Sequence, residues 1–519
     1  MNEKKNLTTK ETFALAVQNH QKNNLQVAGN LYKEILKTNP NHVDAHNNLG
    51  LVFQAFGDFQ KAISSYQKAI EIQPDYANTH NNLGVVFNEL GEQEKAISSY
   101  QKAIQIDPNF SDAYYKLGNV FKDLEEHQKA ISFYQKAIEI QPNNASAHNN
   151  LGVVFKALGE QKKAISCFKN ALKLKPTSIN AQANISTIYI SQLDNLGKAT
   201  RASYKVLTMH HDTFKFINQE ISLYRLKHDV QQAEYLSSKN HKINGIEKFQ
   251  KIGNEILSRK ENGRDNDNSI KKILLNHDEI NSLLPFYKAH YIYQTSKISK
   301  SCINPHKNWQ DVEEEYFNSP KQIIYIDNFL SDEAINELRA FCLVSKIWNT
   351  EYQNKYLGTF SEKGFISPLH LQIAIDLKQK LPKLFGQHRL GKFWAFKYDS
   401  TIGKGINIHA DYAIHNLNFW ITPDEYNDNK DSGGLKVYDA PAPENWTFQQ
   451  YNKKTNEIHK FLNGNNANCT NIPYKCNRAV LFNSAYFHET DKINFKEGYE
   501  SRRINITYLF GDRLVKKLN

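Results

Sequence analysis

GINIHADYAIHNLNFW, Gly405 to Trp420, carries a histidine and an aspartate two residues apart in a run of alternating character. In an extended chain Asn407, His409 and Asp411 fall on one side, and Ile406, Ile408 and Ala410 on the other. One polar and one apolar face predict a strand that lines a wet pocket inside a β-barrel. Residues i and i+2 of a strand stand ~7 Å apart on the same side, so an imidazole and a carboxylate can converge on one ion. The triplet alone does not decide the matter, because His42-Val43-Asp44 has the same spacing. A metal held here needs a third ligand from elsewhere. The strand-like run NRAVLFNSAYFHETD, Asn477 to Asp491, offers His488.

Two histidines and a carboxylate on one face of an octahedron leave three open positions. That donor set is the one used by non-haem Fe(II) oxygenases, in which a 2-oxo acid fills two positions and O2 the third. If the co-substrate is 2-oxoglutarate, its distal carboxylate needs a basic partner deeper in the barrel. SRRINITYLFG, Ser501 to Gly511, supplies one. Alternation puts Arg503, Asn505 and Thr507 on one face, and Arg502 with Ile504, Ile506 and Tyr508 on the apolar one. Arg503, with its planar fork, is therefore the expected bidentate partner.

These residues carry a resemblance. Gly405 to Gly511 looks like the 2-oxoglutarate/Fe(II)-dependent oxygenase superfamily, with its double-stranded β-helix (jelly-roll) fold. Trp309 to Arg513 resembles an uncharacterised bacterial subfamily found with tetratricopeptide repeats. The shared features are WAFKYDS, HADYAIHNLNFWITPDE, GGLKVYDAPAP, NRAVLFNSAYFHETD and RRINITYLFGDR. The resemblance implies that His409, Asp411 and His488 bind iron and that Arg503 binds the 2-oxoglutarate carboxylate. Tyr398 falls where prolyl-hydroxylase-like members place a tyrosine contacting that co-substrate, and Asn418 and Thr507 line the same pocket by the same comparison. His415 stays outside the set, as a rim residue, and so does His459. The superfamily's nucleic-acid demethylases continue Arg-x-Asn-x-Thr with x-Arg, and Leu509 stands in that last place. A nucleobase substrate is therefore not expected. Residues 441–475 form an insertion before the last strands, with Trp446, Tyr451 and Phe461 as apolar anchors. It reads either as a lid over the iron or as a surface excursion.

The N-terminal part has a different logic. Pro40, Pro74, Pro108, Pro142 and Pro176 are spaced by 34 residues, as are Gly50, Gly84, Gly118 and Gly152, and Ala28, Ala62, Ala96, Ala130 and Ala164. Each unit holds two apolar patterns of helical period. Small residues let the two helices approach closely, and proline closes the unit. This resembles the tetratricopeptide repeat. Five units cover about Thr8 to Thr177, and a decayed sixth runs from about Ser178 to His210 as a terminal cap. His46, His80 and His148 recur in phase and read as packing residues, and His42 and Asp44 fall at a repeat junction. Asn48, Asn82, Asn150 and Asn184 share one phase on the first helix of their units, with Lys116 breaking the series. An asparagine amide donates and accepts at once, as a peptide group does. The arrangement resembles the asparagine ladder of the O-GlcNAc transferase repeat domain, which grips extended peptides; the other reading is a solvated polar face.

Composition sets the bounds. The 519 residues exceed one ordinary core, and 40% hydrophobic content with 12% aromatics fits folded domains. The net charge of +11 arises from scattered lysines, with no basic run that would mark a nucleic-acid tail. The five cysteines form no CxxC pattern, which fits reduced thiols in a cytoplasm. No stretch approaches the ~20 apolar residues of a membrane span. The expected order is thus a repeat solenoid over 1–210, a helical linker over 211–318 with a polar loop near Arg259 to Ser269, and an oxygenase-like β-helix domain over 319–519. The expected activity is an Fe(II)-, 2-oxoglutarate- and O2-dependent hydroxylation of a protein or peptide recruited by the repeats. Two other classes stand beside it: an oxygenase of a small molecule or glycan whose repeats serve assembly, and a scaffold with an inert barrel. Neither substrate identity nor oligomeric state is written in the sequence.

Overall fold

The computed structural model describes residues 8–193, 195–260, 272–296, 298, 300–352, 354, 356–399 and 405–511. The chain divides into two compact units, Met1–Ala181 and Gln182–Asn519. Most of the polar loop expected near Arg259 to Ser269 lies outside the described residues. Among the described residues no helix is long and apolar enough to cross a membrane.

The first unit consists of antiparallel helix pairs from Thr9–Gln21 to Gln161–Leu174, five pairs among the described residues. The phase of the glycines has a direct steric cause. A Cβ at Gly50 would lie 2.5 Å from the Tyr66 ring, and one at Gly118 would lie 2.6 Å from the Tyr134 ring. Gly84 meets Tyr100 and Gly152 meets Phe168 in the same way, at 2.7 Å. The aromatic ring of the second helix thus fills the place of the first helix's missing side chain. Gly118→Val is expected to destabilise the repeats by ~1–3 kcal/mol through overpacking, read as a lower Tm.

The repeating histidines close three of the repeat junctions. His46, His80 and His148 donate Nε2–H to the carbonyls of Pro40, Pro74 and Pro142 at 2.8, 2.9 and 3.1 Å. A carbonyl only accepts, so these rings carry their proton on Nε2. The His42-Asp44 triplet is dispersed into local bonds. His42 Nδ1 caps the helix Val43–Ala55 by accepting from the Ala45 amide, and Asp44 accepts from the Tyr76 hydroxyl at 2.6 Å.

The second unit does not keep the expected boundaries at 210 and 318. The segment expected to be a decayed sixth repeat contributes Ile190, Ala199 and Leu207 to the same core as Leu417, Phe419, Ile504 and Ile506 of the sheet. So do Tyr224, Cys302, Ile303, Trp309 and Tyr316 from the expected linker. The physical reason is the sheet's outer apolar face, which needs helices to cover it. A satellite core of Leu226, Val230, Phe249, Leu283 and Phe286 joins the linker helices to one another.

The strands are β1 (Glu220–Ser222), β2 (Lys272–Leu274), β3 (Ile323–Ile326), β4 (Thr350–Tyr352), β5 (Tyr356–Phe360), β6 (Leu390–Tyr398), β7 (His415–Trp420), β8 (Leu435–Pro441), β9 (Cys469–Ile472), β10 (Ala479–Asn483), β11 (Tyr486–Thr490) and β12 (Ile504–Phe510). Beside the small β1-β2 pair, seven strands form an antiparallel sheet in the order β3-β10-β7-β12-β6-β5-β4, and three form a second in the order β11-β8-β9. The C-terminal region is therefore antiparallel β, and its described strands do not close into a barrel. Alternation sorts β12 cleanly: Ile504, Ile506, Tyr508 and Phe510 enter the helix-covered core, which leaves Arg503, Asn505 and Thr507 to the side facing the smaller sheet.

Two local expectations change. INIHAD is not a strand, since its only ladder contact is an isolated bridge between His409 and His488. NRAVLFNSAYFHETD is two strands in two different sheets, split at Ser484-Ala485. The chain thus passes from one sheet to the other just before His488.

Candidate metal centre

His488 stands on β11 of the small sheet, and the His409–His488 bridge brings the segment with His409 and Asp411 alongside it. The two residues exchange backbone hydrogen bonds, His409 N to His488 O at 3.0 Å and His488 N to His409 O at 2.8 Å. Their rings are 4.3 Å apart between centroids. One possible ligand atom from each of His409, Asp411 and His488 falls within 4.8 Å of the others. His488 Nε2 lies 3.5 Å from Asp411 Oδ2.

Protonation follows from the hydrogen bonds. His409 Nδ1 contacts the Asn407 carbonyl at 2.9 Å, and His488 Nδ1 contacts the Tyr486 carbonyl at 3.0 Å. Each is the carbonyl two residues back, and each can only accept. Both rings therefore carry their proton on Nδ1 and turn an Nε2 lone pair toward the centre. Burial and the neighbouring His409 ring hold His488 well below the usual histidine range, in the neutral form that ligates metals. Asp411 is 8% exposed, and its Oδ2 accepts from Asn416 Nδ2 at 2.7 Å.

Arg503 is 1% exposed and packs against the rings of Tyr398, Trp420 and Tyr474, at 5.0, 5.6 and 5.9 Å from their centroids. Its Nε donates to Gly433 O at 2.6 Å and its Nη2 to Gly434 O at 3.2 Å. Nη1 is buried without a hydrogen-bond partner, as are Asn418 Oδ1 and Asn505 Oδ1. The Tyr398 hydroxyl beside it also lacks a well-formed hydrogen bond. Asn418 Nδ2 donates to Thr507 Oγ1 at 3.1 Å across the β7-β12 pair. One cleft is lined by His409, Asp411, His488, Arg503, Asn418 and Thr507. Tyr398 does not line the cleft itself but packs its ring against Arg503. The residues that alternation and resemblance single out are thus brought together.

Other placements differ. Asn407 is exposed and Ile406 lines the cleft in its stead. His415 is no rim residue. It points from β7 to the opposite side of the sheet, against Tyr316, Phe385 and His388, where burial lowers it to about 4. His459 is exposed. The insertion is neither lid nor excursion, because it packs behind the segment with His409 and Asp411. Ile458 and Leu462 of the helix Thr455–Gly464 share a cluster with Ile408, Ala410 and Phe487, and Trp446, Tyr451 and Phe461 pack on it. Ala410, between His409 and Asp411, gives its N–H to Tyr451 O at 3.1 Å and receives Asn452 Nδ2 on its carbonyl at 3.0 Å. The insertion supplies the backbone partners that a neighbouring strand would otherwise give.

Asn416 and the Gly433-Gly434 carbonyls were not singled out for a role in the sequence. The glycine pair is the visible signal. A Cβ at Gly434 would lie 1.8 Å from the Ile472 carbonyl oxygen, so only glycine lets β8 and β9 approach there.

In the first unit, Asn82 Nδ2 donates to Asn47 Oδ1 of the preceding repeat at 3.1 Å, and Asn150 Nδ2 to Asn119 Oδ1 at 2.9 Å. Asn48 accepts from Asn47 Nδ2 at 3.2 Å. All three are partly exposed. These amides act as rungs between or within repeats. Asn184 lies on the helix Ile179–Gln192, beyond the end of the first unit.

Family models described as tetratricopeptide repeat match residues 43–109, 99–132 and 145–178, and one described as TPR repeat matches 118–159. The chain is a tetratricopeptide-repeat protein. Among solved structures, this tetratricopeptide-repeat protein is similar to MamA at 32% identity, over 31% of this chain and 94% of that one, with a TM-score of 0.29. It is also similar to YrrB, described as a TPR protein with an unusual peptide-binding site, at 22% identity over 35% and 93%, with a TM-score of 0.31. PilF of Pseudomonas aeruginosa matches at 19% identity over 38% and 90%, with a TM-score of 0.36. No curated protein matches the chain.

Proposed function

We propose that the second unit is a 2-oxoglutarate- and Fe(II)-dependent oxygenase of the double-stranded β-helix, or jelly-roll, class. The observation that carries this reading is the convergence of His409, Asp411 and His488 with both Nδ1 atoms already bonded to backbone. Two neutral imidazoles and one carboxylate suit Fe(II) and leave open positions for co-substrate and O2. The buried Arg503 supports the second half of the reading. Its unpartnered Nη1 calls for an anion, and a carboxylate of 2-oxoglutarate answers it.

When bound, iron would supply the redox chemistry that divides O2 between 2-oxoglutarate, released as succinate and CO2, and a C–H bond of the substrate. The chain's own residues bind and orient. Asn416 donates to Oδ2 of Asp411, the oxygen 3.5 Å from His488 Nε2, and so fixes that carboxylate beside the histidine. Arg503 and its ring of aromatics fix the co-substrate's far end and exclude water from it. Anaerobic addition of Fe(II) and then 2-oxoglutarate to the full chain is expected to produce a visible charge-transfer band, absent in His409→Ala. No band and no succinate would leave the inert-scaffold reading. Asn416→Ala is expected to weaken Fe(II) binding ~10–100-fold, the usual effect of losing a partner of a metal ligand, measured by metal titration.

For the substrate we infer a protein or peptide side chain recruited by the repeats, because stacked repeats present extended binding surfaces. The rung bonds of Asn82 and Asn150 mean that a ligand would share those amides with the solenoid itself. Capture on the His409→Ala variant, followed by mass spectrometry for one added oxygen after exposure to the active enzyme, tests this. Turnover of a small metabolite in place of any captured protein would favour the small-molecule reading.

A further inference from the structure

Away from the candidate metal centre, the helices Leu223–Ser238 and His277–Lys288 and the segment 346–349 enclose a cavity of about 60 Å³. At ~10–15 Å³ per water on this measure, it holds a cluster of waters or one small polyatomic ion. Its wall sets the charged groups of Arg225, Asp229 and Lys346 among the rings of Phe214, Phe286 and Trp348.

The charges in the wall do not balance. Asp229 gives one oxygen to Arg225 Nε at 2.5 Å and the other to His228 Nδ1 at 2.8 Å. That carboxylate answers Arg225. Lys346, 7% exposed, donates to the carbonyls of Phe286 and Ala289, and among the described residues no carboxylate pairs with it. Arg225 Nη1 reaches the Trp348 carbonyl at 2.5 Å, and its guanidinium lies beside the Tyr287 hydroxyl. Asn349 Nδ2 is buried without a hydrogen-bond partner, and the Tyr287 hydroxyl, beside Asp229 and Arg225, lacks a well-formed one. An unmet buried donor is costly, typically ~1–3 kcal/mol. The cationic surplus is felt nearby: burial, then Lys346 and the other neighbouring cations, hold His211 down to about 3.

Burial holds the Lys346 amine down to about 7, for want of a paired carboxylate. That amine, the Arg225 guanidinium and two donors without well-formed hydrogen bonds, all around one void, form the shell of an anion. We propose that this cavity binds a small oxyanion, of the size of phosphate, sulfate or a short carboxylate, on Lys346, Arg225 and Tyr287. Held there, the ion would bond the linker helices to the segment that leads into β4.

The test is thermal unfolding of the full chain in phosphate, sulfate, formate or chloride, at one pH and at an ionic strength matched with a bulky sulfonate. A saturable rise in Tm with at least one oxyanion is expected, since a ligand of the native state alone stabilises it by mass action. The arms separate tetrahedral anions from carboxylates. Lys346→Met should remove the rise and Tyr287→Phe should reduce it. If Lys346→Met does not fold, the Tyr287→Phe comparison decides. No saturable rise in the unmodified protein, a response to chloride alone, or an undiminished rise in the variants overturns the proposal.

Discussion

Asp411→Ala is expected to abolish 2-oxoglutarate consumption while the chain keeps its fold. Asp411 is the only anionic member of the triad, so its loss should reduce Fe(II) affinity by more than the ~10–100-fold typical of an outer partner. The segment should stay in place, because its anchors are Ile408 and Ala410 on the other side, packed on the insertion. A structural penalty falls on Asn416 Nδ2, which loses its acceptor inside the protein, a loss of ~1–3 kcal/mol. Succinate formation, metal titration and Tm separate the two effects. Undiminished turnover in a folded Asp411→Ala variant would end the facial-triad assignment.

The adjacent arginines should fail in opposite ways. Arg503→Ala removes the buried cation of the cleft, and the 2-oxoglutarate concentration for half-maximal turnover is expected to rise ~10-fold or more. That corresponds to a charged hydrogen bond of ~1.5–3 kcal/mol. Arg502→Ala should leave that requirement near its original value and lower Tm. Arg502 is 2% exposed, and its Nη2 lies 3.2 Å from Asp399 Oδ2 and donates to Gln231 Oε1 at 2.8 Å. Removing it takes one ion-pair partner from the buried Asp399, and breaking a buried pair typically destabilises by ~3–5 kcal/mol. Exchange of the two phenotypes would place the co-substrate on the other face of β12.

Much of this was legible where periodicity met a single physical cause. The 34-residue phase of glycine and tyrosine is a ring filling a missing side chain, and it reads straight from the sequence. The parity of Arg503, Asn505 and Thr507 was legible because a strand has only two faces. The parity of His415 was not, because residues 412–414 interrupt the extended chain between Asp411 and β7. The boundaries at 210 and 318 failed for a related reason. Fading repeat signal marks where stacking stops, but helices such as Trp309–Asn318 carry apolar faces that do not say which sheet they will cover. The insertion's place behind Ala410 rests on two backbone hydrogen bonds, which leave no compositional trace.

The last strand has a consequence for how the protein is made. β12 is the latest of the described strands in the sequence, yet it sits in the middle of the large sheet, paired with β7 on one side and β6 on the other. On a ribosome adding ~5–20 residues per second, the interval from Trp420 to Ile504 is on the order of ten seconds. Through that interval β6 and β7 each expose an unsatisfied edge of the kind that invites pairing with another chain. The repeats complete each helix pair within one 34-residue period and face no such wait. The nascent second unit should therefore be the part that needs a holding chaperone, and a ribosome stalled before Ile504 should yield chains with folded repeats and an aggregating remainder.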